Sequence, residues 1–250
     1  MNLDEPWLSI ITVVKNDEIG FSDTAASLKN QVRKDFEWVV VDSSTNRLSE
    51  SAEMHYIWMA PKGVYAAMNQ GLEMARGKFV YFLNAGDRLS GPLAIEELKE
   101  SISDDCDAVI CKVRFFHGDE KVATPPLVNI ETESRFHFAR GLFPSHQGFV
   151  AKRNLLIRLG SFNTDYQIAA DYDMFLRLFG RAKICSGDFV LADFATGGIS
   201  SQRWMKAQLE FHKARRKHLR MNPFQRLVEL LLTIILVTKM SLARLVGRTR

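Results

Sequence analysis

The sequence predicts an α/β domain with a mostly parallel, Rossmann-like sheet flanked by helices, followed by a basic and apolar helical appendage. Two observations carry this prediction: apolar runs of strand length recur through the first half, and helical patterns separate them. The first run, LSIITVV at 8–14, is continuous and β-branched, which is typical of a strand buried on both faces. Strands that alternate with helices favour parallel pairing, because each helix returns the chain to the same edge of the sheet.

The elements keep a β-α-β order up to residue 116. FEWVVVD is a second buried strand that ends on Asp42, and KFVYFLN is a strand that leads into the acidic turn AGD. Gly77 is expected to cap the helix before that strand. In chain order, the predicted strands cover 8–14, 36–42, 55–59, 78–84 and 107–116, and the predicted helices cover 20–32, 64–77 and 92–102.

The second half is less regular. Residues 117–145 are expected to form loops or edge strands, and helices are predicted over 153–162 and 171–180, the second closed by Gly180. The predicted domains are a catalytic domain over 1–202, with a donor-binding half at about 7–116 and an acceptor half at about 117–202, and a helical tail over 203–250.

The tail differs from the rest of the chain in charge. Residues 203–250 carry 12 Lys and Arg against two acidic residues, a net charge of +10, whereas residues 1–202 carry 21 against 27, a net charge of −6. This asymmetry indicates that the tail meets an anionic surface, either nucleic acid or acidic lipid. The apolar stretch over 227–246 has no role on nucleic acid, so we predict a membrane surface and no nucleic acid.

The apolar stretch is long enough to cross a bilayer as a helix. It contains Glu229, Lys239 and Arg244, however, and charges near the bilayer centre are costly. An amphipathic helix that lies in the membrane interface fits this pattern better. A helix packed on the catalytic domain or on a second copy stays open as the alternative.

The cysteines and the N-terminus bear on the compartment. The chain has three cysteines, Cys106, Cys111 and Cys185, without CxxC spacing, which predicts reduced thiols in the cytosol rather than a disulfide framework or a zinc site. Asp4 and Glu5 stand where a signal peptide carries basic residues, so the first apolar run is interpreted as a strand.

Three aspartates lie at or near the ends of predicted elements: Asp42, Asp87 and Asp171. Ligands of α/β sheets bind beyond the carboxyl ends of the strands, where a carboxylate can contact a nucleotide or a divalent cation. The alternative is that these aspartates are ordinary turn residues or helix caps.

The motifs around these aspartates resemble those of family 2 glycosyltransferases of the GT-A fold. LSIITVVKN, FEWVVVDSSTN, PKGVYAAMNQGLEMARGKFVYFLNAGD, SHQGFV and AADYDMFLRL occur in the family's order over roughly residues 7–200. The chain is most similar to enzymes of bacterial exopolysaccharide synthesis, including colanic-acid-type enzymes, in which an Asn-x-Gly-Asp turn replaces Asp-x-Asp. The block from Gly63 to Asp87 is the most specific signal.

The resemblance implies a donor site and a metal. Asp87 matches the last carboxylate of the acidic turn, which implies that it binds Mn²⁺ or Mg²⁺. Met68 replaces an arginine that contacts the diphosphate in relatives, and Arg47 replaces an acid. The implied contacts to the nucleotide-sugar donor are Thr12, Asn16, Asp42, Asn69 and Asn84.

Asp171 matches the catalytic base of the family. Transfer with inversion needs a carboxylate that removes the proton of the acceptor hydroxyl. Asp173 is the alternative base. Residues two apart do not share a helix face, so Asp171 and Asp173 cannot both point into the site. His146 either contacts the acceptor or the phosphates, or is a structural histidine.

The resemblance implies a metal-dependent, inverting glycosyltransferase. It implies a polyprenyl-diphosphate-linked saccharide as acceptor, used in cell-surface polysaccharide synthesis, and a peripheral position at the cytoplasmic face of the cell membrane. A non-catalytic binding subunit of the same fold and a sugar nucleotidyltransferase remain the alternatives.

Overall fold

The computed structural model describes residues 6–117, 120–127, 143–178, 180–195 and 203–247. Within them the chain forms one sheet and seven α-helices. The strands are β1 (Leu8–Val14), β2 (Phe36–Asp42), β3 (His55–Trp58), β4 (Phe79–Phe82), β5 (Arg88–Leu89), β6 (Ala108–His117), β7 (Glu120–Ala123), β8 (Phe149–Lys152) and β9 (Ile184–Ala195). The helices are α1 (Glu18–Lys29), α2 (Val64–Met74), α3 (Ala94–Ser101), α4 (Arg153–Arg158), α5 (Ala170–Leu178), α6 (Trp204–His218) and α7 (Pro223–Gly247).

The sheet follows the order β3-β2-β1-β4-β8-β6-β9-β5, with β7 paired to β6. Strands β3, β2, β1 and β4 are parallel, and every residue of β1 is buried. The α/β class predicted from the apolar runs is therefore confirmed. The second half of the sheet is mixed: β8 runs antiparallel to both β4 and β6, and β9 is parallel to β6. The four residues of β8, FVAK, do not indicate this direction, because strand direction depends on pairing partners far away in the chain.

Two apolar clusters fill the two faces of the sheet. On one face, Leu72 of α2 and Phe175 of α5 pack against the strands. On the other face, Leu28 of α1 and Ile95 of α3 do so. The helices thus cover both faces of the sheet, which leaves its carboxyl edge open for ligands.

Gly77 does not cap α2, contrary to the prediction. The helix ends at Met74, and Ala75 after it has an extended backbone. A Cβ atom at Gly77 would lie 2.6 Å from the backbone nitrogen of Ser9. The glycine is therefore needed for the close approach of this segment to β1. Gly180, with φ of 70°, has the left-handed backbone that was expected after α5.

The structure also contradicts the prediction that all cysteines are reduced. Cys106 and Cys185 form a disulfide, with a Cα–Cα distance of 5.9 Å across 79 residues of sequence. They meet because β6 and β9 pair in parallel, with Ala108 opposite Ile184. Cys111 is free and buried. Spacing along the chain could not reveal this pair, because sheet pairing creates it.

The tail packs on the domain in an unexpected orientation. α6 lies against α5, and α7 lies against α6 through its polar side. Glu229 and Thr233 are buried in this contact. The exposed side of α7 is apolar, and its large apolar residues are Phe224, Leu227, Leu230, Leu231, Ile234, Ile235 and Leu242. In the described part of the chain, no helix has the length and apolar character needed to cross a membrane.

Candidate active site

A cleft of about 600 Å³ opens at the carboxyl end of the parallel strands. The turn after β4, the 3₁₀ turn at His146–Gly148 and the start of α5 contribute to its walls. The polar residues that line it are Lys15, Asp17, Tyr65, Asn84, Asp87, Ser145, His146, Gln147, Gln167 and Asp171. Four of the predicted site residues therefore share one cleft: Asn84, Asp87, His146 and Asp171.

The turn from Asn84 to Asp87 places a buried carboxyl group at the cleft. The Asp87 amide donates to the Asn84 carbonyl at 3.0 Å, and Gly86 takes a φ of 92° that favours glycine. Asp87 is 4% exposed. Burial raises the pKa of its carboxyl to about 7, although nearby His146 and hydrogen bonds from the Ala195 amide and Gln147 oppose the rise.

His146 lies between this turn and the start of α5. Its Nε2 is 3.2 Å from Nδ2 of Asn84, and its Nδ1 is 3.4 Å from Oδ2 of Asp171. An amide that donates to Nε2 leaves the proton of neutral imidazole on Nδ1, facing the carboxylate. The imidazole therefore connects the predicted metal ligand turn with the predicted base.

Asp171 lies in the first turn of α5, which begins one residue earlier. Its Oδ1 accepts from the Tyr65 hydroxyl at 3.3 Å, and that hydroxyl also donates to the Ile168 carbonyl at 2.5 Å. Burial raises the pKa of Tyr65 well above its usual value, so this hydroxyl stays protonated as a donor. The Asp171 side chain keeps 16% of its surface exposed.

Asp173, the alternative base, points away from the cleft. Its side chain is 1% exposed, and its two oxygens pair with Nε of Arg177 at 2.8 Å and Nε2 of His218 at 2.7 Å. These partners lie on α5 itself and at the end of α6. The structure places Asp173 in an interhelical ion pair, because residues two apart on a helix face different ways.

Two predicted donor contacts, Thr12 and Asn69, use their side chains in hydrogen bonds to other parts of the domain. Thr12 is fully buried, and its hydroxyl accepts from the indole nitrogen of Trp38 at 3.0 Å. The Asn69 amide makes two bonds of 2.9 Å with the backbone of Phe162. Neither residue is among the described residues that line the cleft.

Two further predicted contacts, Asn16 and Asp42, shape the loop after β2. Both Asp42 oxygens are engaged, one by the Ser44 amide at 2.7 Å and the other by the Leu48 amide and the Tyr56 hydroxyl. Burial would raise the pKa of Asp42, but these hydrogen bonds outweigh it and lower the pKa. Asn16, with a φ of 53°, accepts from the next residue of that loop, Thr45. Within the described chain, neither residue lines the cleft.

Lys15 and Phe211 are among the cleft residues that were not predicted from the sequence. Lys15 directly follows β1 and, among the described cleft residues, is the one lysine or arginine. Its position after a buried strand was an available signal, since this edge binds ligands. Phe211 of α6 also lines the cleft and packs on Tyr172. The boundary between catalytic domain and tail at residue 203 stays a prediction, but α6, which lies after it, contributes Phe211 to the wall of the cleft.

The turn after β4 has a donor set that fits Mg²⁺ or Mn²⁺. Oδ1 of Asn84 is buried and has no hydrogen-bond partner among the described residues. Together with the Asp87 carboxylate it offers two oxygen ligands from one turn. The described chain holds no cluster of three His, Cys, Asp or Glu side chains for a metal. Mg²⁺ in particular is held by few carboxylates and completed by substrate phosphates and water.

Comparison with known proteins identifies the family. Residues 9–163 match the model of the family described as Glycosyl transferase family 2. The chain belongs to this family. An uncharacterized glycosyltransferase of Mycobacterium tuberculosis is 28% identical over 207 residues, which cover 79% of this chain and 78% of that protein. The putative glycosyltransferase EpsH of Bacillus subtilis is 26% identical over 152 residues, which cover 56% of this chain and 44% of EpsH.

Solved structures confirm the GT-A type of fold for this glycosyltransferase. TarS of S. aureus in complex with UDP-GlcNAc superposes with a TM-score of 0.63 at 16% identity, covering 90% of this chain and 70% of that one. The mannosyltransferase PcManGT from Pyrobaculum calidifontis, in complex with GDP-Man and Mn²⁺, gives a TM-score of 0.61 at 16% identity, covering 92% and 70%. At this identity the likeness concerns the fold.

Proposed function

We propose that this glycosyltransferase transfers a sugar, with inversion, from a nucleoside diphosphate sugar to an acceptor hydroxyl, and that Asp171 is the base. The observation that carries the proposal is the His146 bridge. The carboxyls of Asp87 and Asp171 both line one cleft, and His146 contacts Asn84, in the turn that ends on Asp87, on one side and Asp171 on the other. The donor diphosphate then lies at the turn after β4, and the acceptor lies towards α5.

Each residue has a separate task in this reaction. Asp171 takes the proton of the acceptor hydroxyl as its oxygen attacks the anomeric carbon, and the bond to the diphosphate breaks on the opposite face. Tyr65 and His146 hold the two oxygens of this carboxylate in place. Lys15 supplies the cationic contact to the diphosphate that Met68 does not provide.

Asp87 and Asn84 would hold a divalent cation at the diphosphate. When bound, Mg²⁺ or Mn²⁺ supplies Lewis-acid stabilisation of the leaving nucleoside diphosphate. Asp87 must lose its proton to ligate it, so binding of the cation depends on pH.

The acceptor is proposed to be lipid-linked, as a polyprenyl-diphosphate saccharide at the cytoplasmic face of the membrane. The outward side of α7 supports this proposal. Its large apolar residues are exposed, and helical geometry puts Arg226 and Lys239 at the two margins of the apolar face. Arg216, Lys217 and Arg220 are exposed near the turn between α6 and α7, where they complement anionic headgroups.

One helix, α6, contributes both to the cleft and to the contact with α7. α6 contributes Phe211 to the cleft and, one turn later, Arg215 to the contact with α7. We propose that an acceptor with a lipid anchor reaches Asp171 while α7 stays in the interface. The role in exopolysaccharide synthesis is proposed from the motif resemblance alone.

The test is turnover of UDP-, GDP- and dTDP-sugars with Mn²⁺ and a polyprenyl-diphosphate saccharide. The expected products are a nucleoside diphosphate and a glycoside of inverted anomeric configuration, which NMR identifies. Pyrophosphate as product would indicate nucleotidyl transfer instead. Donor binding without turnover across the whole panel would indicate a binding subunit.

A further inference from the structure

Glu210 of α6 has a buried carboxylate with an unusual set of partners. The residue is 9% exposed and accepts hydrogen bonds from three successive backbone amides. The distances are 3.1 Å from Gln167, 2.8 Å from Ile168 and 3.0 Å from Ala169. None of the ion pairs found within the described chain involves Glu210. A buried charge is costly unless polar groups stabilise it, so these three amides stabilise the Glu210 carboxylate.

The three amides directly precede α5. The first amides of a helix have no acceptor within it, and negative charge is favourable at this end. A local Ser, Thr, Asp or Asn side chain usually supplies the cap. Glu210, more than 40 residues later in the chain, instead binds the three amides that lead into the helix. Charge-assisted bonds of this kind fix the backbone more firmly than neutral ones.

The capped segment ends two residues before Asp171. On its other side, the Tyr65 hydroxyl donates to the Ile168 carbonyl and to the Asp171 carboxylate. The backbone of Ile168 is thus held through its amide by Glu210 and through its carbonyl by Tyr65. Rotation of the two peptide units that flank Ile168 would turn the first residues of α5, and with them the direction of the Asp171 carboxyl.

We propose that Glu210 is a positioning residue, which fixes segment 167–169 and thereby aims Asp171 at the acceptor hydroxyl. The inference rests on the proposed role of Asp171 as base. It predicts that loss of Glu210 lowers kcat while leaving the donor site intact, because Asn84, Asp87 and Lys15 lie on other elements. A displacement of about 1 Å in a reacting group is enough to lower the rate by about a hundredfold.

The experiment compares Glu210→Gln and Glu210→Ala with Lys206→Ala in the full chain. Lys206 is a matched control, since it lies one turn earlier on α6 and contacts the same segment, through the exposed Gln167 side chain. Amide hydrogen exchange at 167–169, the affinity for UDP and GDP, and kcat with KM for the donor are measured. Glu210→Gln keeps the size of the side chain and one acceptor oxygen. It therefore still tests the role of the Glu210 carboxylate if Glu210→Ala folds poorly.

We expect Glu210→Gln to speed exchange at 167–169 and to lower kcat by about tenfold or more, with nucleotide affinity and donor KM unchanged. Lys206→Ala should match the wild type in all three measurements. Unchanged exchange in both Glu210 variants overturns the proposal, as does faster exchange with unchanged kcat. A wild-type protein that turns over no donor would contradict the proposed function, and exchange would then still decide whether Glu210 fixes the segment.

Discussion

Glu229 of α7 and Arg215 of α6 form a buried ion pair, in which the carboxylate Oε1 accepts from Nε at 2.6 Å. Their side chains are 2% and 3% exposed. The same guanidinium donates to Thr233 one turn later, and His212 contacts the same carboxylate. Burial would raise the pKa of Glu229, but the hydrogen bonds from Arg215 and His212 outweigh it and lower the pKa. The polar side of α7 is therefore used inside the protein.

This arrangement predicts binding of α7 to anionic membranes. Leu231→Gln with Ile235→Gln removes two side chains that are about half exposed, and it should reduce flotation with vesicles that contain anionic lipid. Val32→Gln with Ile157→Gln is the matched control, because these residues are exposed apolar side chains of the loop after α1 and of α4. Flotation that is equal for the two double variants, or absent for the wild type, would exclude the membrane surface as partner.

Substitutions of the two aspartates of α5 should have different effects: that of Asp171 should lower activity, and that of Asp173 should lower stability. Asp171→Asn should lower kcat by roughly a hundredfold or more at unchanged melting temperature, because the amide cannot take a proton. Asp173→Asn breaks buried pairs with Arg177 and His218 and should cost about 3–5 kcal/mol of unfolding free energy. Kinetics at saturating donor and urea unfolding measure the two effects. A stable Asp173→Asn protein with crippled kcat would reverse the assignment.

Lys15 should contribute to donor affinity. Lys15→Ala removes the cation that we place at the diphosphate, so Kd for the nucleoside diphosphate should rise by about tenfold. Lys29→Ala is the control, since Lys29 is exposed at the end of α1 and lies outside the cleft. Calorimetry at low and high salt measures the Kd of both variants. The difference in Kd between Lys15→Ala and Lys29→Ala should narrow at high salt, because salt screens the contact of Lys15 with the diphosphate. Equal affinities for the two variants would show that the phosphates bind elsewhere.

Asp87 should make the stability of the metal-free protein depend on pH. Its folded pKa of about 7 lies above the value of about 3.9 for an exposed aspartate. Between these values the folded state holds the extra proton, so the free energy of unfolding falls as the pH rises. Asp87→Asn removes this titration and should gain stability relative to the wild type from about pH 4 to about pH 8. Urea unfolding in EDTA tests this, and parallel pH curves for the two proteins would contradict it.

The local pattern of apolar residues was sufficient to predict the buried parallel strands in the first half of the chain. The buried strands from Leu8, Phe36 and Phe79 were predictable because an uninterrupted apolar run needs cover on both faces. The turn that ends on Asp87 and the helix that carries Asp171 were predictable from their motifs. The sequence could also show that the tail combines positive charge with an apolar stretch.

The tertiary structure decided which of those residues meet and which way they face. Asn69 proved to be occupied by the backbone of Phe162, 93 residues away, and Cys106 pairs with Cys185 because β6 and β9 pair in the sheet. Glu210 reaches the amides before α5 across more than 40 residues, which no local pattern records. A sequence determines where apolar and charged groups lie along each element, because that periodicity is local. Which side of α7 turns inward depended on Arg215, since a buried carboxylate is stable only beside a partner that the fold brings to it.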